Sequence, residues 1–152
     1  FFKVVGDLVF RSRLYASRLY EVNNQSIPRT EKFTLGGARN LRGYSYEAIG
    51  PKEDIQDSEG NTFSYNVGGL FAAYTSIELE HPLAREAGLK WVIFFDAGDA
   101  GDIDKFAVKM DYGFGFRWFS PIGVLRFEFG YPINPGSTDA GSQFHFDIGQ
   151  LF

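Results

Sequence analysis

The sequence predicts an all-β protein, an antiparallel transmembrane β-barrel, on three observations. Apolar and polar residues alternate with period two through three successive runs near the C-terminus. Aromatic residues make up 18% of the chain, yet its mean hydropathy falls slightly below zero. No stretch approaches the roughly eighteen consecutive apolar residues that a membrane helix requires. A helical membrane protein would not average out polar in this way, whereas alternating strands must.

Successive strand side chains point to opposite sides. In the run 111–118, Tyr112, Phe114, Phe116 and Trp118 therefore share one face, and Asp111, Gly113, Gly115 and Arg117 share the other. The run 125–131 sets Leu125, Phe127, Phe129 and Tyr131 against Arg126, Glu128 and Gly130. The last run sets Phe144, Phe146, Ile148 and Phe152 against His145, Asp147 and Gly149. A soluble sandwich also alternates, so the deciding feature is the quality of each face. One is aromatic and aliphatic along its length; the other is charged or bare, which suits a wet lumen inside a lipid-facing wall.

The 152 residues are the length of one domain, and 44% hydrophobic content could build a core, but size does not separate a complete small barrel from part of a larger one. The first residues carry neither a basic leader nor a small-residue cleavage site, so an exported protein is expected to contain this chain as a mature or internal piece. The absence of cysteine fits passage through an oxidising compartment. A net charge of −4, with basic residues scattered among acids, argues against a nucleic-acid partner. His81 and His145 are the only histidines and no metal-ligand spacing recurs, so no catalytic residue, metal or cofactor is expected. Gly113-Phe114-Gly115 lacks the strand-to-helix context of a phosphate loop and reads as bare inward positions.

About six strands are expected. Residues 1–5 and 8–22 are β-rich, and Gly6-Asp7 is either a bend in one long strand or a tight turn between two. Leu8, Phe10, Leu14, Ala16, Tyr20 and Val22 form the apolar face of the longer stretch, which Arg18 interrupts unless it sits at a membrane interface. Residues 23–66 lack clean periodicity and form a long loop, of the kind that is usually functional or disordered. Strands resume over 67–83, with Glu78 and Glu80 inward and His81-Pro82-Leu83 as the stop, and over 90–96, with Val92, Phe94 and Asp96 inward. The segment 97–104 is expected to be a solvent-exposed turn. Ser120-Pro121-Ile122-Gly123 makes a short turn and 134–142 a longer one, the asymmetry of outer-membrane barrels.

Within the long loop, Phe33-Thr34-Leu35-Gly36-Gly37-Ala38-Arg39-Asn40-Leu41-Arg42-Gly43-Tyr44 resembles the GG…(V/L)RG(F/Y) signature of the BamA superfamily of outer-membrane assembly and secretion barrels. Ser76-Ile77-Glu78-Leu79 looks like the family's next strand, Phe94-Phe95-Asp96-Ala97-Gly98 like its Φ-Φ-D-x-G motif, and 118–121 with 125–132 like its closing hairpin. The resemblance implies that the loop folds back into the barrel and that Arg42 pairs with Asp96 and Glu78, with Gly36, Gly37, Leu41, Gly43 and Tyr44 forming the loop motif. Strand parity independently puts Glu78 and Asp96 on the inner face, where a guanidinium can bind carboxylates in bidentate fashion. A solvated Arg42, a turn-initiating Asp96 and a Glu78 that merely lines water are the bland alternatives.

The final run, with Phe144, Phe146, Ile148 and a terminal Phe152, resembles the C-terminal signal by which outer-membrane proteins are recognised for insertion, and Gly149 matches the glycine where the family's last strand can kink. The match covers the C-terminal portion of the family's barrel only. Residues 1–152 are thus expected to be the C-terminal part of a transmembrane β-barrel domain, with 23–66 as its lumen-folding loop and no POTRA domain present. So few strands do not close around a plug loop, since diameter grows with strand number; the rest of the wall comes from a longer chain, the favoured case, or from further copies. The implied function is folding and insertion of outer-membrane proteins in a bacterial outer membrane, with membrane lipid, unfolded client proteins and accessory lipoproteins as partners. The alternatives are a translocation pore of a two-partner secretion system, a small autonomous outer-membrane barrel, and a soluble β-sandwich binding module.

Overall fold

The computed structural model describes residues 2–3, 6–22, 26–121, 123–136 and 139–149. Its strands are β1 (Phe2–Lys3), β2 (Val9–Arg18), β3 (Lys52–Gln56), β4 (Thr62–Asn66), β5 (Phe71–Ala84), β6 (Leu89–Gly101), β7 (Lys109–Ser120), β8 (Gly123–Ile133) and β9 (Gln143–Gly149). One antiparallel sheet runs β1-β2-β5-β6-β7-β8-β9, and β3 pairs with β4 apart from it. Strands β5 to β8 have 14, 13, 12 and 11 residues, enough to cross a bilayer, for which about 9–11 tilted residues suffice. With Phe2 opposite Phe10 and Lys3 opposite Val9, Gly6-Asp7 is a turn between two strands.

The sheet is inverted relative to a soluble protein. Tyr112, Phe114, Phe116 and Trp118 are exposed, while Asp111, Arg117, Glu78, Glu80, Asp96 and Glu128 are buried. Register places Phe114, Phe129 and Phe144 side by side, with ring centroids 5.4 and 4.9 Å apart, and Phe127 lies 5.0 Å from Phe146. This aromatic band across β7, β8 and β9 faces lipid; in water it would be an aggregation surface. Leu125, on the same face, is buried because its rung lies between Trp118 and Ile148. Leu14, 83% exposed, continues the apolar face on β2, and the Arg18 guanidinium lies 4.8 Å from the Tyr20 ring centroid near the end of that strand.

The apolar core forms where the long connection between β2 and β5 folds onto the inner face. Leu35, Leu41, Tyr44 and Ile49 pack against Ala72 of β5 and Ala100 of β6. Bridges Phe33–Gly69 and Leu35–Ile49 close the base of this loop.

Three boundaries differ from the sequence reading. β6 does not stop at Asp96; 97–101 continue the strand opposite β5, and the exposed tip is the 3-10 turn Ile103–Lys105. Small residues that read as a turn instead make room: a Cβ on Gly98 would come within 2.8 Å of the Tyr74 Cα, and one on Gly69 would be within 2.6 Å of the Gly101 carbonyl oxygen. Pro82 does not end β5, which absorbs it in an irregularity between Pro82 and Ala84 and runs on. Finally, the loop contains the β3–β4 hairpin, which has no clean alternation because most of both faces is exposed.

The hairpin's turn is held by Asp57, whose carboxylate accepts hydrogen bonds from the Glu59 and Asn61 amides, both at 2.9 Å, and from Asn61 Nδ2 at 3.0 Å. The Asn61 side chain and the turn amides hold this carboxyl below its ordinary value. Its stabilising contribution is therefore present above the ordinary carboxylate range and fades as pH falls through the lowered value. Protection of the amides over 52–66, measured against their intrinsic exchange rates at each pH, should fall in acid before that of the sheet, and Asp57→Ala should show the low protection already at neutral pH. On the lipid face, Phe114→Arg near the middle of β7 should cost on the order of 2–4 kcal/mol of folding stability in bilayers. Denaturant titration of the whole protein in lipid vesicles measures it.

Candidate functional site

Gly36 and Gly37 have φ of 111° and 102°, a region that side chains rarely enter, and a Cβ on Gly36 would strike the Ser45 carbonyl. The Asn40 side-chain oxygen accepts hydrogen bonds from the Gly36 and Leu41 amides, both at 2.7 Å. The Gly37 amide donates to the Leu41 and Tyr44 carbonyls at 3.1 and 3.0 Å. The motif is thus a closed turn that projects Arg42. Leu41 and Tyr44 anchor it in the core, and the Tyr44 hydroxyl donates to the Met110 carbonyl at 3.2 Å. Burial, with Asp139 and Asp111 nearby, pushes the Tyr44 phenol up to about 12, so it remains a donor at neutral pH.

Arg42 is 3% exposed and meets three strands. Its Nε and Nη2 donate to the two oxygens of Asp96 on β6, each at 2.8 Å, in a bidentate pair. Nη1 donates to Glu78 of β5 at 2.5 Å and reaches Glu128 of β8 at 3.4 Å, while Nη2 also donates to Ser76 Oγ at 3.0 Å. The guanidinium stacks 3.5 Å from the centroid of the Phe94 ring, which fills the space that Gly113 leaves open. Burial alone would lower the affinity of Arg42 for its proton; Asp96, Glu128 and Glu78 outweigh that and raise it, so the charge is fixed.

The pair belongs to a larger network. Arg117 donates to Glu80 at 2.9 Å, to Glu78 at 2.9 and 3.0 Å and to Glu128 at 3.0 Å. Arg126 donates to Glu128 at 2.9 Å and Lys90 to Glu80 at 2.8 Å, and Arg11 also pairs with Glu80. Five basic side chains therefore interleave with the carboxylates Glu78, Glu80, Asp96 and Glu128. Asp111 stands opposite Asp96 in register, fully buried, and neither of its oxygens has a hydrogen-bond partner among the described residues.

Of the residues singled out in the sequence, Arg42, Asp96 and Glu78 come together, with Gly36, Gly37, Leu41, Gly43 and Tyr44 shaping the loop around them. Phe144, Phe146 and Ile148 lie on the exposed face of β9, Gly149 is its last residue, and Phe152 lies outside the described residues. Ser76, Glu80, Arg117, Glu128 and Asn40 were not anticipated as partners. Parity had placed Arg117, Glu128 and Glu80 inward, but which of them meet depends on strand register. His81 sits 6.1 Å from Trp91, on a different strand from His145, and among the described residues no group of His, Cys, Asp and Glu could hold a metal.

Removing one partner of a buried ion pair leaves the other charge unpaired, at about 3–5 kcal/mol. Arg42→Ala should lower the unfolding midpoint in denaturant accordingly, and Arg42→Lys, which lacks the fork, should recover only part of the loss. A Cβ on Gly43 would press on Asp111 and lie 2.8 Å from the Pro132 nitrogen. Gly43→Ala should therefore cost about 1–3 kcal/mol, whereas Gly141→Ala, where the added methyl meets nothing within 4 Å, should leave the midpoint unchanged.

The whole chain, residues 1–152, matches the model of the Omp85 superfamily domain. It is 30% identical over 151 residues to the outer membrane protein assembly factor BamA of Nitratidesulfovibrio vulgaris, covering 95% of this chain and 18% of that protein. It is also 30% identical over 159 residues to the BamA of Neisseria meningitidis serogroup B, covering 84% of this chain and 19% of that one. The chain thus spans less than a fifth of the length of these relatives. Its fold is similar to the crystal structure of BamA from Haemophilus ducreyi lacking POTRA domains 1–3, with a TM-score of 0.77 and 22% identity over 92% of this chain and 31% of that one. With its lipid-facing aromatic wall and its loop seated on buried charges, the chain belongs to the Omp85 superfamily, the BamA-type barrels of the outer membrane.

Proposed function

We propose that this chain is the C-terminal part of the barrel domain of an outer-membrane assembly factor, which folds and inserts other β-barrel proteins and catalyses no covalent chemistry. The observation that carries the reading is the loop turn at Arg42, seated on the inner wall among buried carboxylates. β9 has 7 residues and pairs with β8. Where a barrel seam parts, the freed strand presents unpaired amides and carbonyls that can template an incoming strand. A Cβ on Gly149 would meet nothing within 4 Å among the described residues, and a glycine in a strand pairs and packs less firmly than a residue with a side chain. The Arg42 clamp keeps the inner wall in one arrangement while that strand exchanges partners. The clients are unfolded outer-membrane proteins, the surrounding lipid is the outer membrane, and accessory lipoproteins assist. The relatives named above, both called assembly factors, support the same reading.

The test is insertion of an unfolded client barrel into liposomes containing the whole protein, followed by protease protection. Arg42→Glu should slow insertion at least about tenfold, equivalent to about 1.4 kcal/mol, and adding Asp96→Arg should restore part of the rate. Restoration stays incomplete because Glu78 and Glu128 still face the reversed charge. If Arg42→Glu inserts clients at the wild-type rate, the clamp has no part in assembly. If the wild-type protein exports a secreted substrate and inserts no client, the chain serves a translocation pore.

A further inference from the structure

We propose that His145 is a positioning residue that ties the last strand to the seated loop, so that β9 is held in place only while Arg42 is clamped. His145 Nε2 lies 2.8 Å from the Arg42 carbonyl oxygen. A carbonyl only accepts, so Nε2 carries the hydrogen and donates it. The contact crosses a whole strand, since the loop turn lies on β7 and β8 while His145 is on β9. Gly130 of β8 makes the crossing possible: a side chain there would collide with the Arg42 carbonyl and lie 2.7 Å from the Gly43 amide nitrogen. The carboxylate opposite His145 in register, Glu128, is already engaged by Arg117 at 3.0 Å and Arg126 at 2.9 Å. The imidazole turns to the loop instead.

Arg42 therefore binds with its two ends to different parts of the wall. Its guanidinium holds β5, β6 and β8, and its carbonyl holds β9. Among the described residues this is the only side-chain hydrogen bond made by β9, whose other attachments are the ladder to β8 and the ring contacts of Phe144 and Phe146 with that strand. Release of the guanidinium moves the carbonyl, and β9 then loses its one tie across the lumen. The assembly reading gives this coupling a purpose, but the geometry does not depend on it.

Hydrogen–deuterium exchange of the whole protein in lipid nanodiscs, without client, tests the coupling and reads it independently of assembly activity. The reporter is the segment 144–149, with 127–131 of β8 as the internal reference. His145→Ala should speed exchange of the β9 segment about fivefold, the loss expected for one net hydrogen bond. His145→Gln, whose amide can donate to the same carbonyl, should restore slow exchange. Arg42→Lys should also speed β9 exchange in the wild-type background, and should add nothing in the His145→Ala background. The proposal is overturned if His145→Ala leaves β9 exchange at the wild-type rate, or if the effects of the two substitutions multiply as independent ones do.

Discussion

A guanidinium taken out of water must be matched by carboxylates at hydrogen-bonding distance, because the desolvation of an unmatched charge costs several kcal/mol. Arg42 meets that condition only when β5, β6 and β8 stand in one relative register, since Glu78, Asp96 and Glu128 come from those three strands. The constraint runs both ways: the loop is seated because the wall presents the acids, and Asp96, with its share of Glu78 and Glu128, is matched because the loop supplies a cation. Buried ion pairs often add little net stability over apolar packing. Their contribution here is discrimination, since a one-residue slip in any of these strands would turn its carboxylate out toward lipid.

Seating also depends on what is absent from the wall. Gly113 of β7 and Gly130 of β8 leave a trough in which the Phe94 ring and the loop backbone lie, and Gly43 of the loop lets that backbone come up against Asp111 and Pro132. Side chains at those positions would hold the turn away from the sheet and break the short contacts that Arg42 needs. The inner surface thus carries two kinds of information, charge at some rungs and emptiness at others.

How much of this the amino-acid order reveals follows from the range of each interaction. Alternation is local, so the inward placement of Glu78, Asp96, Arg117 and Glu128 could be read from neighbouring residues alone. Partner choice is not local. Arg117 reaches Glu78, 39 positions away, through a register set by turn lengths and by the irregularity at Pro82. Composition misled at 97–101, because alanine and glycine serve a turn and a crowded strand equally well. The β3–β4 hairpin escaped notice for a different reason: a ribbon wet on both sides has no apolar face to mark its period. Arg42 itself was legible only through the motif around it, since a lone arginine in a polar loop is usually solvated.

The exposed and enclosed charges of this chain respond differently to their surroundings. Mobile ions screen charges in open water over roughly 8 Å at physiological ionic strength and over shorter distances in brine, but they act weakly on pairs shut away from solvent. Arg42, Asp96, Arg117 and Glu128 are each at most 3% exposed, and Phe94 caps the guanidinium. A change of ionic strength therefore weakens interactions among the exposed charges of the β3–β4 hairpin while the charges that seat the loop keep their strength.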